Sequence, residues 1–464
     1  MAGWERRTLL GGIALVPNDR FPRMLGRIGT VALWCLALLL TFLAINSNAP
    51  YLVWLRGTGH LVLFAIAIGV PLVLIRRGAW RCGRATNRVL VVLWCVPVVA
   101  LMWTQTRFAL DKADVLGTDP AVAHLLGRHF VVGYAAPEEA AVLAEKGLIA
   151  GVYVTRHNAR GRTAADLKAE IAGLQVRRSG AGLPPLIVAA DQEGGIVAHL
   201  APPLPRQPAL ATLADLLPDG RESRAEAFGR SQGEALAGIG VTLNLAPVLD
   251  LRPRWTRNRF DFHTLIRQRA ISDDPAIVSA IGLGYVRGLE ASGVRAAVKH
   301  FPGLGRVAAD THHFSAVLET PTAELEAGDW RPFREVLAGS NAALMVGHVR
   351  LAAIDLDRPA SHAQRVLDGL LRKQWNYQGV IITDDLVMGA IYGGDLCKAV
   401  VEALNGGADL LLVAYDGAQF HRIFGCARQA LAHGELDLTM LRASEARLQH
   451  WRGTAAPAHI AGAP

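Results

Sequence analysis

Between Val298 and His312 the chain reads Val-Lys-His-Phe-Pro-Gly-Leu-Gly-Arg-Val-Ala-Ala-Asp-Thr-His, and four of these side chains suit proton transfer or anion binding. Lys299 and His300 end an apolar run, where a strand leaves a core, and a Pro-Gly-Leu-Gly loop follows. Loops at strand ends are where enzymes hold their polar groups. The loop returns Asp310 and His312 one residue apart, a spacing at which an extended segment points both side chains the same way. A carboxylate beside an imidazole is a proton-transfer unit. Gly303 to Ala308 also fits a loose dinucleotide-binding pattern. However, Asp-Thr-His-His-Phe is a poor helix start, and Glu319 comes too early to serve as the ribose-binding acid.

The elements that must position these groups are legible as eight short apolar runs: Phe130–Tyr134, Gly151–Thr155, Leu186–Asp191, Val241–Pro247, Val294–His300, Ala342–His348, Val380–Asp384 and Asp409–Ala414. Amphipathic stretches lie between several of them, including Pro137–Lys146, Ala164–Arg177, Arg224–Ala237 and Ala276–Ala291, and another follows near Leu441–Trp451. This alternation predicts an α/β fold, a (β/α)8 TIM-like barrel whose chemistry sits at the C-terminal strand ends. Polar groups fall at those ends: Asp191-Gln192-Glu193-Gly194-Gly195 after the third run, Lys299-His300 after the fifth, His348 after the sixth and Thr383-Asp384-Asp385 after the seventh. Any one of them alone reads as a cap or salt-bridge residue. Four converging ends suggest a site for a polyol or sugar, whose hydroxyls need many directed hydrogen bonds.

The N-terminal quarter differs in character. Three windows, 28–45, 57–75 and 89–106, contain no Asp, Glu, Lys or Arg, and each approaches the roughly 20 residues that cross a bilayer. Residues 1–112 carry 13 Lys/Arg against 3 Asp/Glu, a net of +10, so the remainder of this +8 chain carries −2. The basic pI of about 9.5 therefore belongs to the N-terminal part, and no nucleic-acid partner is indicated. Arginines precede the first window and separate the second from the third, while the first intervening loop has only Arg56. By the positive-inside rule this predicts a multi-pass cell-membrane protein with a cytoplasmic N-terminus and an extracytoplasmic domain after Arg107; only a first segment that fails to insert reverses this. Three buried helices of a soluble domain are the competing reading. The expected division is a membrane region at 1–112, a catalytic domain at 113–452 and a disordered tail at 453–464.

The five cysteines include no C-x-x-C pair, and they are expected to be unpaired small hydrophobes. No metal or cofactor is expected.

Five blocks resemble glycoside hydrolase family 3, specifically its single-domain β-N-acetylglucosaminidases of the NagZ type. They are Asp191–Gly195, Asn244–Asp250, Lys299–Gly303, Asp310–His312 and Thr383–Met388, in the family's order. The resemblance implies a retaining exo-β-N-acetylglucosaminidase acting on cell-wall glycan fragments. It implies Asp384 as nucleophile in preference to Asp385, and His312 as acid/base with Asp310 as its orienting partner; His313 is a less favoured candidate. Asp191, Arg269, Lys299 and His300 match positions that hold the sugar, and His199 stands where the family has a sugar-binding arginine. Two glycines and a proline are expected to let the histidine-bearing loop close over substrate. Leu304, Ile196 and Thr311 also depart from the family pattern, which bears on affinity and specificity more than on the catalytic groups. Competing readings are a family 3 β-glucosidase-like enzyme, a metal-dependent hydrolase using His300, His312, His313 and His348, and a catalytically impaired membrane sugar sensor.

Overall fold

The computed structural model describes residues 20–76, 85–253, 264–307, 309–311 and 313–453. The chain divides into two compact units, Met1–Leu110 and Asp111–Pro464. In the first, the apolar windows are helical, over Arg20–Ile45, Thr58–Arg76 and a continuation through Ala85–Leu93 and Cys95–Leu116. Two helices, Thr58–Arg76 and Arg88–Leu116, are long and apolar enough to cross a bilayer. The apolar run Gly29–Ile45 in the first helix is shorter. A soluble-core helix would be buried on all sides, yet only 11% of the Thr58–Arg76 window and 28% of the Arg88–Leu116 window are buried.

The second unit is a closed barrel of eight parallel strands: β1 (Phe130–Gly133), β2 (Gly151–Val154), β3 (Ile187–Ala190), β4 (Leu243–Asn244), β5 (Arg295–Phe301), β6 (Ala343–Val346), β7 (Ile381–Asp385) and β8 (Leu410–Val413). Each pairs with its neighbours in chain order, and β1 closes on β8 through Phe130–Leu411, Val131–Leu412 and Val132–Val413. Every expected strand is present; the fifth and seventh keep their length, shifted by one residue, and the others are shorter. The fourth contracts most, because Pro247 has no N–H to give a ladder.

Alternation along the strands sorts the core into two layers. Val131, Tyr153, Ile187, Ala189, Leu243, Ala297, Met345, Ile382 and Leu412 fill the barrel interior. The intervening Val132, Val154, Val188, Val298, Leu344, Ile381 and Leu411 pack outward against the helices. With a period of two, Asp191, Lys299 and Asp384 continue the inward-facing series at the C-terminal ends of their strands, so they belong to the mouth. Behind β5 the rings of Phe301, Trp330, Phe333 and Trp375 pack 5.3–5.7 Å apart and anchor the strand that carries Lys299.

The helices start where the side chains dictate. Thr163 and Asp166 form a reciprocal capping box at Ala164–Gly180, and Asp274 caps Pro275–Ala291 with proline in the first turn. Pro218–Gly238 starts six residues earlier than the hydrophobic pattern indicates, again on a proline.

One expectation is corrected here. Cys397 and Cys426 are not separate small hydrophobes; they form a disulfide, with Cα atoms 5.1 Å apart, between helices Leu396–Gly406 and Phe420–Ala432. They are 29 residues apart on two helices, so no local motif announced the pair.

Candidate active site

The mouth of the barrel holds a continuous chain of charged groups. At the end of β3, Asp191 pairs with Lys299 from β5, whose ammonium also lies 2.7 Å from Glu193. Glu193 in turn receives Arg269 through two parallel bonds, Nε at 3.0 Å and Nη2 at 2.6 Å. Arg269 Nη2 continues to His300 Nε2 at 3.2 Å, and His300 Nδ1 meets Asp250 Oδ2 at 2.7 Å. Since a guanidinium can only donate, His300 Nε2 accepts and Nδ1–H donates to Asp250, which fixes the tautomer.

Two carboxylates and two cations therefore neutralise one another where water is scarce. Burial alone would raise Asp191, but the Lys299 ammonium beside it holds its carboxyl well below the usual range. Glu193 is likewise held down against burial by Arg269 and Lys299. Lys299, which burial would lower, is raised by Asp191 and Glu193.

Tyr153 adds a branch, its hydroxyl donating to Asp191 Oδ2 at 2.5 Å and lying 3.2 Å from His199 Nδ1. Tyr153 spends its only proton on the carboxylate, so the His199 contact is donated by Nδ1–H. Burial pushes His199 below its ordinary value, leaving a neutral ring at pH 7 where an arginine would supply a fixed charge.

The two adjacent aspartates of β7 have different surroundings. Asp385 is buried, and its carboxylate accepts the amides of Val387 at 3.0 Å, Ala414 at 2.9 Å and Tyr415 at 2.8 Å, stitching the ends of β7 and β8 together. Burial pushes it up to about 6 despite those donors. Asp384 is half-buried, with Oδ1 receiving the Asp385 N–H at 2.8 Å.

Of the residues expected to form the site, Asp191, His199, Arg269, Lys299 and His300 share this single network. The Arg269–Glu193 ion pair is buried within this network rather than on the surface. Asp310 is fully buried and accepts the Thr264 hydroxyl at 2.8 Å. His312 lies outside the described residues. His313 is exposed, and its backbone N–H donates to the Asp310 carbonyl at 3.1 Å.

The expected hinge is anchored in its first half. Gly303 has a φ of +106°, Gly305 leaves no room for a Cβ, which would sit 2.3 Å from the Leu251 carbonyl oxygen, and the Leu304 N–H donates to Asp250 at 2.7 Å. The glycines thus serve a tight turn and a close backbone approach. No helix follows this turn among the described residues before Thr322, unlike a dinucleotide-binding loop. His300 and His348 each engage protein partners through both ring nitrogens, which opposes a shared metal-ligand role.

Tyr153, Glu193, Asp250 and Thr264 were missed as site residues. Glu193 and Asp250 stood inside recognised blocks, and the inward parity of Tyr153 at a strand end was an available signal. Thr264 had none.

Comparison with known proteins agrees with this geometry. The model of the glycosyl hydrolase family 3 N-terminal domain matches residues 119–450. The chain belongs to glycoside hydrolase family 3. A β-hexosaminidase of Nitrosomonas eutropha is 30% identical over 310 residues, covering 66% of this chain and 82% of the relative. A β-hexosaminidase of Pseudomonas aeruginosa is 35% identical over 236 residues, covering 51% and 68%. Among solved structures, a family 3 β-N-acetylglucosaminidase from Paenibacillus superposes with a TM-score of 0.66 at 28% identity, over 74% of this chain and 64% of that one. A family 3 member from Mycobacterium smegmatis gives 0.63 at 27%, over 74% and 99%. This family 3 chain is a glycoside hydrolase on the β-N-acetylhexosaminidase branch.

Proposed function

We propose that this family 3 protein is a membrane-anchored, retaining exo-β-N-acetylglucosaminidase that removes terminal β-linked GlcNAc from peptidoglycan-derived glycans. Asp384 attacks the anomeric carbon, and the bond to the leaving oxygen breaks as His312 donates its proton there, leaving a glycosyl ester on Asp384. His312, now a base, then takes a proton from water as that water displaces Asp384 and restores the β-anomer. Asp310 orients the imidazole and stabilises its protonated form. Asp191, Lys299, Arg269, His300 and His199 make up the sugar-recognition wall.

The observation that carries this reading is the contrast at the tip of β7. Asp385 is buried with its carboxylate spent on three backbone amides, whereas Asp384 is half-buried, at an inward-facing position of the barrel mouth, and accepts the Asp385 N–H. The β-hexosaminidase relatives support the substrate class.

In the same proposal, residues 1–112 anchor the chain through three spans, residues 113–452 form the catalytic domain outside the cytoplasm, and 454–464 of the expected tail lie outside the described residues. The charge bias supports this orientation, and so does the Cys397–Cys426 disulfide, which persists in oxidising compartments. The spans and the disulfide are linked: if the first helix failed to insert, the barrel would face the reducing side.

The test is hydrolysis of chromogenic β-GlcNAc and β-glucose glycosides by the full-length protein in detergent. GlcNAc preference, with loss of at least about 10³-fold in Asp384→Asn, is expected. Glucoside preference would favour the β-glucosidase-like alternative, and no turnover by wild type would favour the sensor.

A further inference from the structure

Behind β7 runs a line of buried polar groups that the sugar site does not use. His348, just past β6, places Nε2 2.9 Å from the backbone carbonyl oxygen of Asp385. Its Nδ1 lies 2.7 Å from the Ser361 hydroxyl, which is 3.2 Å from His362 Nδ1. Ser361 and His362 form a short 3-10 turn, and all three side chains are buried.

The chemistry of the partners assigns the protons. A carbonyl only accepts, so His348 Nε2 must carry hydrogen. In the neutral ring Nδ1 is then a lone pair, and Ser361 satisfies it by donating. The Ser361 oxygen can accept in turn from His362 Nδ1–H, and burial pushes His362 down to about 3, so this last ring is neutral at physiological pH. The accept-only Asp385 carbonyl is thus what selects the Nε2–H tautomer, and Ser361 holds the other end of the ring by bonding Nδ1. Without the Ser361 hydroxyl, the buried Nδ1 loses this partner and the ring is held less firmly against the carbonyl.

Asp385 is held at three points: its carbonyl by His348, its carboxylate by the Val387, Ala414 and Tyr415 amides, and its own N–H by the Asp384 carboxylate. That N–H lies 2.8 Å from Asp384 Oδ1 and is a direct handle on the carboxylate. We propose that His348, anchored at Nδ1 by Ser361, is a positioning residue for the reaction: by pinning the Asp385 carbonyl through Nε2–H it fixes the amide that orients Asp384. This rests on Asp384 being the nucleophile. His348 touches no substrate atom in this scheme; it acts through one peptide unit.

A positioning role predicts a loss in kcat without a rise in KM, because the sugar wall at Asp191, Lys299 and Arg269 is on other elements. The experiment is steady-state and burst kinetics of the full-length protein in detergent micelles on an aryl β-GlcNAc glycoside, comparing wild type with His348→Leu, His348→Gln, Ser361→Ala and Asp384→Asn. His348→Leu removes the donor and should lower kcat about 100-fold, the scale for misplacing a reacting group by an ångström. His348→Gln retains an N–H at the Nε2 position and should recover most of that loss. Ser361→Ala should lower kcat about 10-fold, with KM within twofold and the thermal midpoint within a few degrees of wild type. Where deglycosylation limits wild-type turnover, the burst of released phenol reads the glycosylation step, and its rate should fall in His348→Leu and Ser361→Ala.

Ser361→Ala and His348→Gln keep the test decisive if His348→Leu does not fold. Wild-type kcat in Ser361→Ala, or a His348→Gln enzyme no better than His348→Leu, overturns the proposal. A KM rise as large as the kcat loss also overturns it. Full turnover by Asp384→Asn is a different failure, that of the nucleophile assignment itself.

Discussion

Lys299→Met tests whether the charged wall of the barrel mouth acts as one unit. The ammonium is 3% exposed and lies between Asp191, 18% exposed, and Glu193, 6% exposed, so methionine removes the charge while keeping most of the stem's packing. At an effective dielectric near 20, one ion pair at 2.7 Å is worth about 6 kcal/mol before desolvation. Returning the lysine's desolvation cost reduces this, and breaking a buried pair with one partner left behind costs about 3–5 kcal/mol. For a domain of this size each kcal/mol moves the thermal midpoint about 2 °C, so a fall of about 6–10 °C is expected at pH 7. Expressed in sugar binding, the same energy is about 10²–10⁴ in kcat/KM.

The pH dependence supplies a sharper signature. Asp191 is depressed in the folded protein, so its contribution is present above its unfolded value near 4 and disappears only as pH falls through a much lower folded value. Without Lys299 the folded value rises toward or above the unfolded one, so the contribution shrinks or reverses at pH 7 itself, and the variant's deficit should be no larger at pH 5 than at pH 7. The assay is a thermal melt of the full-length protein at pH 7 and pH 5, with aryl-glycoside hydrolysis alongside. A Lys299→Met midpoint within 2 °C of wild type at both pH values, with activity within threefold, would refute the idea that these four charges are coupled.

Three further outcomes follow from other parts of the structure. Burial lowers His129 to about 4, His421 to about 4 and His362 to about 3, so unfolding at pH 5 lets each take up a proton near its ordinary value. Each should cost up to about 2 kcal/mol between pH 7.5 and 5, outweighing the opposite, smaller effect of Asp385 at about 6, so denaturant midpoints should fall over that range; unchanged midpoints would contradict these assignments. Asp385→Asn turns an amide NH2 toward a backbone N–H donor and should lower stability by about 1–3 kcal/mol and kcat by at least tenfold, read by melting and turnover. Replacing Cys397 and Cys426 by alanine should destabilise the barrel by about 3–4 kcal/mol for a loop of this length, and non-reduced peptide mapping of wild-type membranes should recover the Cys397–Cys426 peptide pair.

Much of the barrel is legible in the chain because each strand is a short β-rich run, and four of them end at a polar cluster. Val380–Asp384 and Ala342–His348 are expected and β7 and β6 are found within them or one residue beyond. Strand ends are less legible where proline interrupts the ladder, as at Pro247. The wall residues Asp191, Lys299 and His300 are visible because each closes a strand. Glu193 is not, because its importance comes from bridging Lys299 and Arg269, which lie 106 and 76 residues away in the chain. The separate duties of Asp384 and Asp385 are equally hidden, since they depend on amides from the far side of β8. Ser361 and His362 follow an irregular edge strand and carry no recognisable spacing relative to β7.

The central claim is that Asp384 forms a covalent bond to the sugar, and mass spectrometry of a trapped intermediate tests it most directly. Full-length protein would be incubated with a fluorinated GlcNAc donor that glycosylates quickly and hydrolyses slowly, then digested and sequenced by fragmentation. The expected result is one added fluoro-GlcNAc mass localised to Asp384 and missing from Asp384→Asn. A label on Asp385 or elsewhere, or an enzyme that turns over its substrate with inversion and never carries a label, would contradict the account.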